Sequence, residues 1–486
     1  MIAAALALAV IASPVLAQDT TARADSIRRM KAEQQPLPID PRERHADSVD
    51  DAAAAHILAI ARTRGNAVIW NAMRRSANPA VRARLIQSLA AHGIAAATIV
   101  RRLDSATDPG ERAALIRALA QFPANQISPA DRRLLTRLYA TDPDAEVHSS
   151  IAWLRLVPPQ RPRPPSLEEP ALSAAKGRGG QGVRTQTAAR QWEDIVQGYT
   201  MITLRPRGPF RMGAPPSEAR SDSNELPHEV RIPRAFAIAS TEVSVAQFQR
   251  FLTETNRRAA WLGAVHARWP NHPSPEIFVS DTTRAQFAVT WYEAAQYCNW
   301  LSAKAGIPKD QWVYPDSIGP GMALPADYLH RTGYRLPTEA EWEFAARGGN
   351  SAAHFFGDGV ALLDQHAWYF VNSSLHGWPV GTKQPNQYGL FDIYGNAWEW
   401  INDRWIDYGD RGARPPSPEW RGGQGVRIDD EDTVLVVSDS TPRIRRGGSW
   451  SYDKETTRSA HRGAPGGYRP GDRKDSVGFR VARTIP

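Results

Sequence analysis

The chain has 486 residues, enough for two or three cores, with ordinary apolar and charged fractions that exclude wholesale disorder. The formal net charge of +8 is modest for this length, and basic and acidic residues are interspersed; no basic stripe marks a nucleic-acid footprint, so a nucleic-acid partner is not expected. Sixteen tryptophans are many, and they suggest a loop-rich fold whose irregular segments are pinned by large rings.

In chain order, residues 2–12 form a short apolar run, and Val15-Leu16-Ala17 supplies the small residues of a cleavage site, so residues 1–17 read as a signal peptide. No Lys or Arg precedes the run, the run is too short to span a bilayer, and no transmembrane segment is expected in the mature chain. Residues 18–50 are polar, charged and Pro-containing and read as a linker. Residues 51–157 carry Ala, Leu, Ile and Arg at helical spacing, with Leu85-Ile86, Leu89 and Ala90 on one face and Leu115-Ile116, Leu119 and Ala120 on another. Asn78-Pro79, Asp108-Pro109 and Asp142-Pro143 recur at repeat-like intervals. Each places a capping side chain before a proline suited to a first helical turn. The segment resembles a small HEAT-like array, which would present a surface to a partner; the alternative is a plain helical bundle. Residues 158–190 are rich in Pro, Gly and Arg and read as a second linker. The heptapeptide at 178–184 recurs verbatim at 421–427, with no physical account.

From residue 191 the texture changes to short segments with many turns. Strands are expected at Thr200–Arg205 and Glu229–Ile238, and helices at Ser244–Thr255 and Trp291–Ala305. A further helix runs from Glu339 to Arg347, with Thr338 and Glu341 as a capping box. The single cysteine, Cys298, excludes an intrachain disulfide and reads as a small core residue on the second of these helices.

Ordered motifs run through this region. They include Phe210-Arg211-Met212-Gly213, Thr241-Glu242-Val243-Ser244, Val289-Thr290-Trp291-Tyr292-Glu293 and Tyr334-Arg335-Leu336-Pro337-Thr338-Glu339-Ala340-Glu341-Trp342. Tyr388-Gly389-Leu390-Phe391-Asp392 leads into Gly395-Asn396-Ala397-Trp398-Glu399-Trp400, and Arg446-Gly447-Gly448-Ser449-Trp450 and Val477-Gly478-Phe479-Arg480-Val481 follow. Residues 191–486 thereby resemble the formylglycine-generating-enzyme, or sulfatase-modifying-factor, family. The resemblance implies an α+β, elaborated C-type-lectin-like fold with little regular secondary structure, preceded by the small all-α HEAT-like domain.

The same resemblance implies a structural calcium held by the Asp392 side chain, the Gly395 and Ala397 carbonyls and the Glu399 carboxylate, hard oxygen donors of the kind calcium selects. Oxidising members hold Cu(I) on two cysteines after the Gly-Gly-Ser motif and use O₂ to convert a substrate cysteine to formylglycine. Their places fall on Tyr452 and Thr457, neither of which can replace a thiolate, so copper is not expected. No Ser-His-Asp elbow and no His pair with metal-ligand spacing is legible. The expectation is a periplasmic or secreted binding protein. Its partner is a protein or peptide of the cell envelope, and its groove lies near Trp450, Tyr452, Arg458, His461 and Arg462, where aromatics alternate with cations. The alternatives are an oxidase of the formylglycine-generating type that modifies a sulfatase cysteine, and a structural subunit of an envelope complex.

Overall fold

The computed structural model describes residues 37–154, 190–195, 198–215, 218, 222, 224–270, 278–406, 426–429, 435–463 and 467–486. The signal peptide at 1–17, the first linker as far as residue 36 and residues 158–189 of the second lie outside the described residues.

The helical region starts earlier than its hydrophobic pattern suggests. Helix α1 (Pro41–Arg64) begins ten residues before Asp51, inside the expected linker, because Asp40 and Glu43 form a reciprocal cap around its first turn. It is followed by α2 (Ala67–Ala72), α3 (Pro79–Ser88), α4 (Ala96–Ser105), α5 (Pro109–Ala118), α6 (Pro129–Thr141) and α7 (Ala145–Leu154). Asn78 and Asp108 cap α3 and α5, each followed by proline in the first turn. The third motif works differently. Asp142 terminates α6, while Asp144 accepts from the amides of Glu146 and Val147 at 3.0 and 3.2 Å and so caps α7. Leu85, Leu89, Ile99, Leu115, Ile116, Val147 and Ile151 form the core. Ala120 is exposed, because α5 tightens into a 3₁₀ turn at Leu119–Gln121 and swings it off the buried face.

The C-terminal domain is built on a five-stranded sheet. In spatial order its strands are Trp192–Ile195, Tyr199–Leu204, Ala235–Ala239, Ala482–Ile485 and Tyr334–Arg335, every neighbouring pair antiparallel. The last strand of the chain therefore sits inside the sheet and closes the fold. The expected strand at Glu229–Ile238 is two strands. His228–Arg231 pairs with Phe210–Met212, and Ala235–Ala239 joins the main sheet. Between them lies Pro233, which has no amide proton for a ladder. Helices Val245–Glu254, Trp291–Lys304 and Glu339–Arg347 form where expected, each with its Ser or Thr capping box. Phe248, Phe251, Trp291, Tyr297, Cys298 and Phe479 pack between the first two helices and the sheet. A second sheet places Trp398–Arg404 between Arg443–Arg446 and Val477–Gly478. Small sheets tied by long ordered loops make this the elaborated lectin-like domain of the expected α+β class.

The two domains are packed together. Arg117 Nη1 donates to the Pro385 carbonyl at 3.0 Å, Ser149 Oγ to that of Gly389 at 2.8 Å, and Trp153 Nε1 to that of Thr382 at 3.2 Å. In the other direction, Trp192 Nε1 donates to the Asp142 carbonyl at 2.8 Å, and its ring stacks on His148 with centroids 3.5 Å apart. Behind this contact the fully buried Glu146 receives Arg75, Arg82 and Arg117. The face of the helical array carrying Arg117, Ser149 and Trp153 thus docks on its own chain.

Candidate functional site

The site is organised by the segment after Arg443–Arg446. Gly447 and Gly448 have φ of 98° and 78°, a region glycine enters without steric cost, and they turn the chain so that the Trp450 amide reaches the Asn396 carbonyl at 3.0 Å. Tyr452 lies half-buried with its ring edge-to-face on Trp398 at 5.4 Å, and its carbonyl accepts from the Phe370 amide at 2.9 Å. Thr457 is fully buried, and its hydroxyl donates to the Lys454 carbonyl at 2.6 Å. A phenol and a committed hydroxyl therefore stand where a thiolate pair would be needed. Cys298 is buried on the helix Trp291–Lys304 in the core of the C-terminal domain, and burial pushes its thiol well above the usual range. These residues do not fit copper(I), which selects soft thiolates.

The expected ligand cluster separates. Arg458 is 4% exposed and turns inward, with Nη1 at 2.5 Å from Glu218 Oε1 and 2.7 Å from Glu225 Oε2. Burial opposes ionisation of Glu225, but the hydrogen bond from His461 and the charge of Arg458 outweigh it and hold the carboxyl at about 2. Burial likewise lowers the pKa of His461, whose Nδ1 lies 3.1 Å from Glu225. Arg462 is 1% exposed, pairs with Glu339 at 2.7 Å and donates to the Ile406 carbonyl at 2.7 Å. The cations that read as ligand contacts are thus internal struts, because each has a buried carboxylate within reach and a guanidinium cannot be buried without one. Asp222, Glu225 and His461 have metal-ligand spacing, but Arg458 already supplies the positive charge beside Glu225.

Trp450 and Tyr452 are each partly exposed. Trp450 borders a cleft of about 130 Å³ walled by Trp269, Phe278, Phe287 and Leu375, with Asp281, Arg284, His376 and Asp475 at its polar edge. The Trp450 ring meets Phe287 edge-to-face at 6.5 Å. Sequence reasoning missed Trp269, Phe278 and Phe287, which lie in one stretch of the chain, and His376, which comes from a segment far from it in sequence. The surplus of loop aromatics was their only signal.

The expected calcium ligands are also redistributed. Asp392, Gly395 and Asn396 all have positive φ, which forms the tight loop. Glu399 is fully buried, but it is clamped by Arg480 at 2.6 and 2.7 Å and accepts from Trp342 Nε1 at 2.8 Å. A carboxylate held bidentately by a guanidinium offers less charge to a hard cation, so of the expected calcium ligands Glu399 is already engaged. Asp392 Oδ2 accepts from the Gly381 amide at 2.6 Å, and Oδ1 has no hydrogen-bond partner among the described residues. Among the described residues, neither oxygen of the neighbouring, fully buried Glu242 has a hydrogen-bond partner beyond its own backbone. Burial, reinforced by the other acids, pushes Asp392 up to about 6 and Glu242 well above the carboxylate range.

A domain of short sheets and capped helices closed by Gly-Gly-Ser and Gly-Phe-Arg segments defines a sulfatase-modifying-factor-type protein. The sequence model of the sulfatase-modifying factor enzyme 1-like domain matches residues 187–485, more than half of the chain, and the chain belongs to this family. A HEAT-repeat model matches residues 66–154. The chain is 30% identical over 253 residues to the formylglycine-generating enzyme of Mycobacterium tuberculosis, covering 45% of this chain and 78% of that protein. It is 29% identical over 221 residues to the chaperone protein LppX of Paenibacillus barcinonensis, covering 40% and 68%. It is 24% identical over 321 residues to the inactive C-alpha-formylglycine-generating enzyme 2 of Bos taurus, covering 60% and 91%. Among solved structures, Treponema denticola variable protein 1 aligns with a TM-score of 0.39 at 27% identity, covering 59% of this chain and 95% of its own. PvdO from Pseudomonas aeruginosa aligns with a TM-score of 0.41 at 23% identity, covering 60% and 97%.

Proposed function

We propose that this protein is an exported binding module of the cell envelope that keeps the sulfatase-modifying-factor fold without copper oxidation. The observation that carries the reading is the pair Tyr452 and Thr457, a ring packed on Trp398 and a buried, bonded hydroxyl in place of two thiolates. The Trp450 cleft supports it, since an aromatic-walled hollow with a few charged groups at its edge suits a peptide or protein segment. Two relatives support it as well, one named inactive and one named a chaperone. Export to the periplasm or beyond rests on the apolar run at residues 2–12 and the Val-Leu-Ala that follows. No helix among the described residues is long and apolar enough to cross a membrane.

The test is mass spectrometry of a Cys-x-Pro-x-Arg peptide after incubation with the purified, copper-supplied protein in air, with a formylglycine-generating enzyme as positive control. The peptide cysteine is expected to stay intact here and to be converted in the control. Appearance of formylglycine would overturn the reading and show that the fold reaches this chemistry without a cysteine pair.

A further inference from the structure

The rings that wall the Trp450 cleft are held in place by bonds of the chain itself. Phe278, Phe287 and Trp450 pack in one cluster, with Phe287 and Trp450 edge-to-face at 6.5 Å. Trp269 lies against Phe278 with ring centroids 5.2 Å apart. The fully buried Gln286 ties two of these positions together, since its amide donates to the Phe287 carbonyl at 2.6 Å and to that of Phe278 at 3.4 Å. Ser373 Oγ donates to the Trp450 carbonyl at 2.7 Å. Gly377 leaves room for the Phe287 ring, which a methyl group at that position would overlap.

Size and edge chemistry select the occupant. A volume of about 130 Å³ is near the ~150 Å³ that takes a single benzene and well below the ~300 Å³ at which pockets hold whole small ligands, so the cleft admits one side chain of a larger molecule. Its edge carries the carboxylates of Asp281 and Asp475 and the guanidinium of Arg284. Asp281 and Arg284 pair at 3.1 Å, which leaves Asp475 as the remaining charge of the three. Asp475 is exposed, and its backbone is fixed on both sides, because the Lys474 and Ser476 carbonyls accept from the Ala288 and Trp398 amides, each at 3.0 Å. The cations nearby have partners elsewhere. Arg473 binds Glu293 at 2.6 Å, and the Lys474 ammonium lies 5.1 Å from the centre of the Tyr468 ring. Arg268, outside the cleft walls, lies 5.4 Å from the centre of the Trp269 ring. An aliphatic stem that ends in a cation matches the whole arrangement. Its methylenes cover apolar walls, the ring faces attract its charge, and a carboxylate meets that charge at the surface.

We propose that the Trp450 cleft takes a basic side chain, lysine or arginine, of a peptide or protein partner, with Trp269, Phe278, Phe287 and Trp450 as its walls and Asp475 as the counter-charge. The inference rests on the reading of the cleft as a peptide-binding site and names the class of residue it receives.

The experiment is a saturation-transfer NMR titration of the full chain at fixed ionic strength. The probes are the N-acetyl methylamides of lysine, arginine, norleucine and glutamate, together with choline chloride. Lysine or arginine is expected to bind saturably and about fivefold more tightly than norleucine, which has the lysine stem without its charge, and glutamate is expected to bind most weakly. Asp475→Asn alters an exposed position. It is expected to bring the basic probes within about twofold of norleucine, with norleucine binding and the circular dichroism spectrum unchanged. Norleucine binding as tightly as both basic probes overturns the basic class and leaves the cleft standing as an apolar peptide site. Full retention of the lysine and arginine preference in Asp475→Asn, or tighter binding of glutamate, overturns the proposal as well. Choline binding more tightly than both basic probes overturns it in favour of a lipid head group. Saturable binding by none of the probes overturns it together with the peptide reading of the cleft. None of these results bears on the copper-peptide assay, so the two readings fail separately.

Discussion

Replacing Arg480 with Met removes the counter-charge at the centre of the C-terminal domain. Arg480 is fully buried and binds Glu399 through two bonds of 2.6 and 2.7 Å. It also donates to the carbonyls of Ala239 and Phe391, each at 3.0 Å, and so ties the main sheet to the Asp392 loop. Methionine fills similar volume, so little of the loss comes from a cavity. What remains is the buried Glu399 carboxylate with the Trp342 indole as its one donor among the described residues, beside Glu242 and Asp392. Breaking a buried pair from one side costs about 3–5 kcal/mol, because the orphaned charge must be desolvated without compensation. Urea unfolding followed by tryptophan fluorescence reads this directly. The double variant Arg480→Met with Glu399→Gln removes the charge but keeps an acceptor for Trp342, and it is expected to recover more than half of the loss. A single-variant cost below about 1 kcal/mol, or a double variant no more stable than the single, would refute the argument that this pair is electrostatically indispensable.

Because Arg480 already neutralises Glu399, millimolar calcium or a chelator is expected to leave the wild-type Tm unchanged; a saturable rise with calcium would restore the ligand set expected from sequence. Asp392 is raised from 3.8 to about 6 in the folded protein, so the native state binds the extra proton. Its contribution is present below pH 4 and lost as pH rises to about 6, a change of about 3 kcal/mol at 1.36 kcal/mol per unit. Asp392→Asn should flatten that slope, since asparagine tolerates the φ of 48° there; urea unfolding between pH 4 and 7 measures it. Thr338 accepts from the Glu341 amide at 3.1 Å and donates to Asp429 at 2.8 Å, so Thr338→Ala is expected to cost about 1–2 kcal/mol by the same assay.

Much of the local structure was legible because local rules act within a turn or two. Thr290 with Glu293, Thr338 with Glu341, and the Asn-Pro and Asp-Pro starts of α3 and α5 announced helices that begin at those residues. The split at Pro233 was also present in the sequence, but periodicity on both sides concealed it. Asp142-Pro143 misled, because Asp144 offered a second cap two residues on and the chain used that one.

The ordered motifs were sufficient for the family, and the absence of a cysteine pair after Gly448 followed from composition alone. The tertiary structure decided which charges are available to a ligand. Arg458, His461, Arg462 and Glu399 looked like contact residues until Glu225, Glu339 and Arg480 arrived from parts of the chain tens to hundreds of residues away and consumed them. Arg445 lies beside an equally basic neighbour in sequence and forms no ion pair among the described residues. Pairing of buried charge is set by distances across the folded core and has no sequence period, so residue type announced the charges and only the fold assigned their partners.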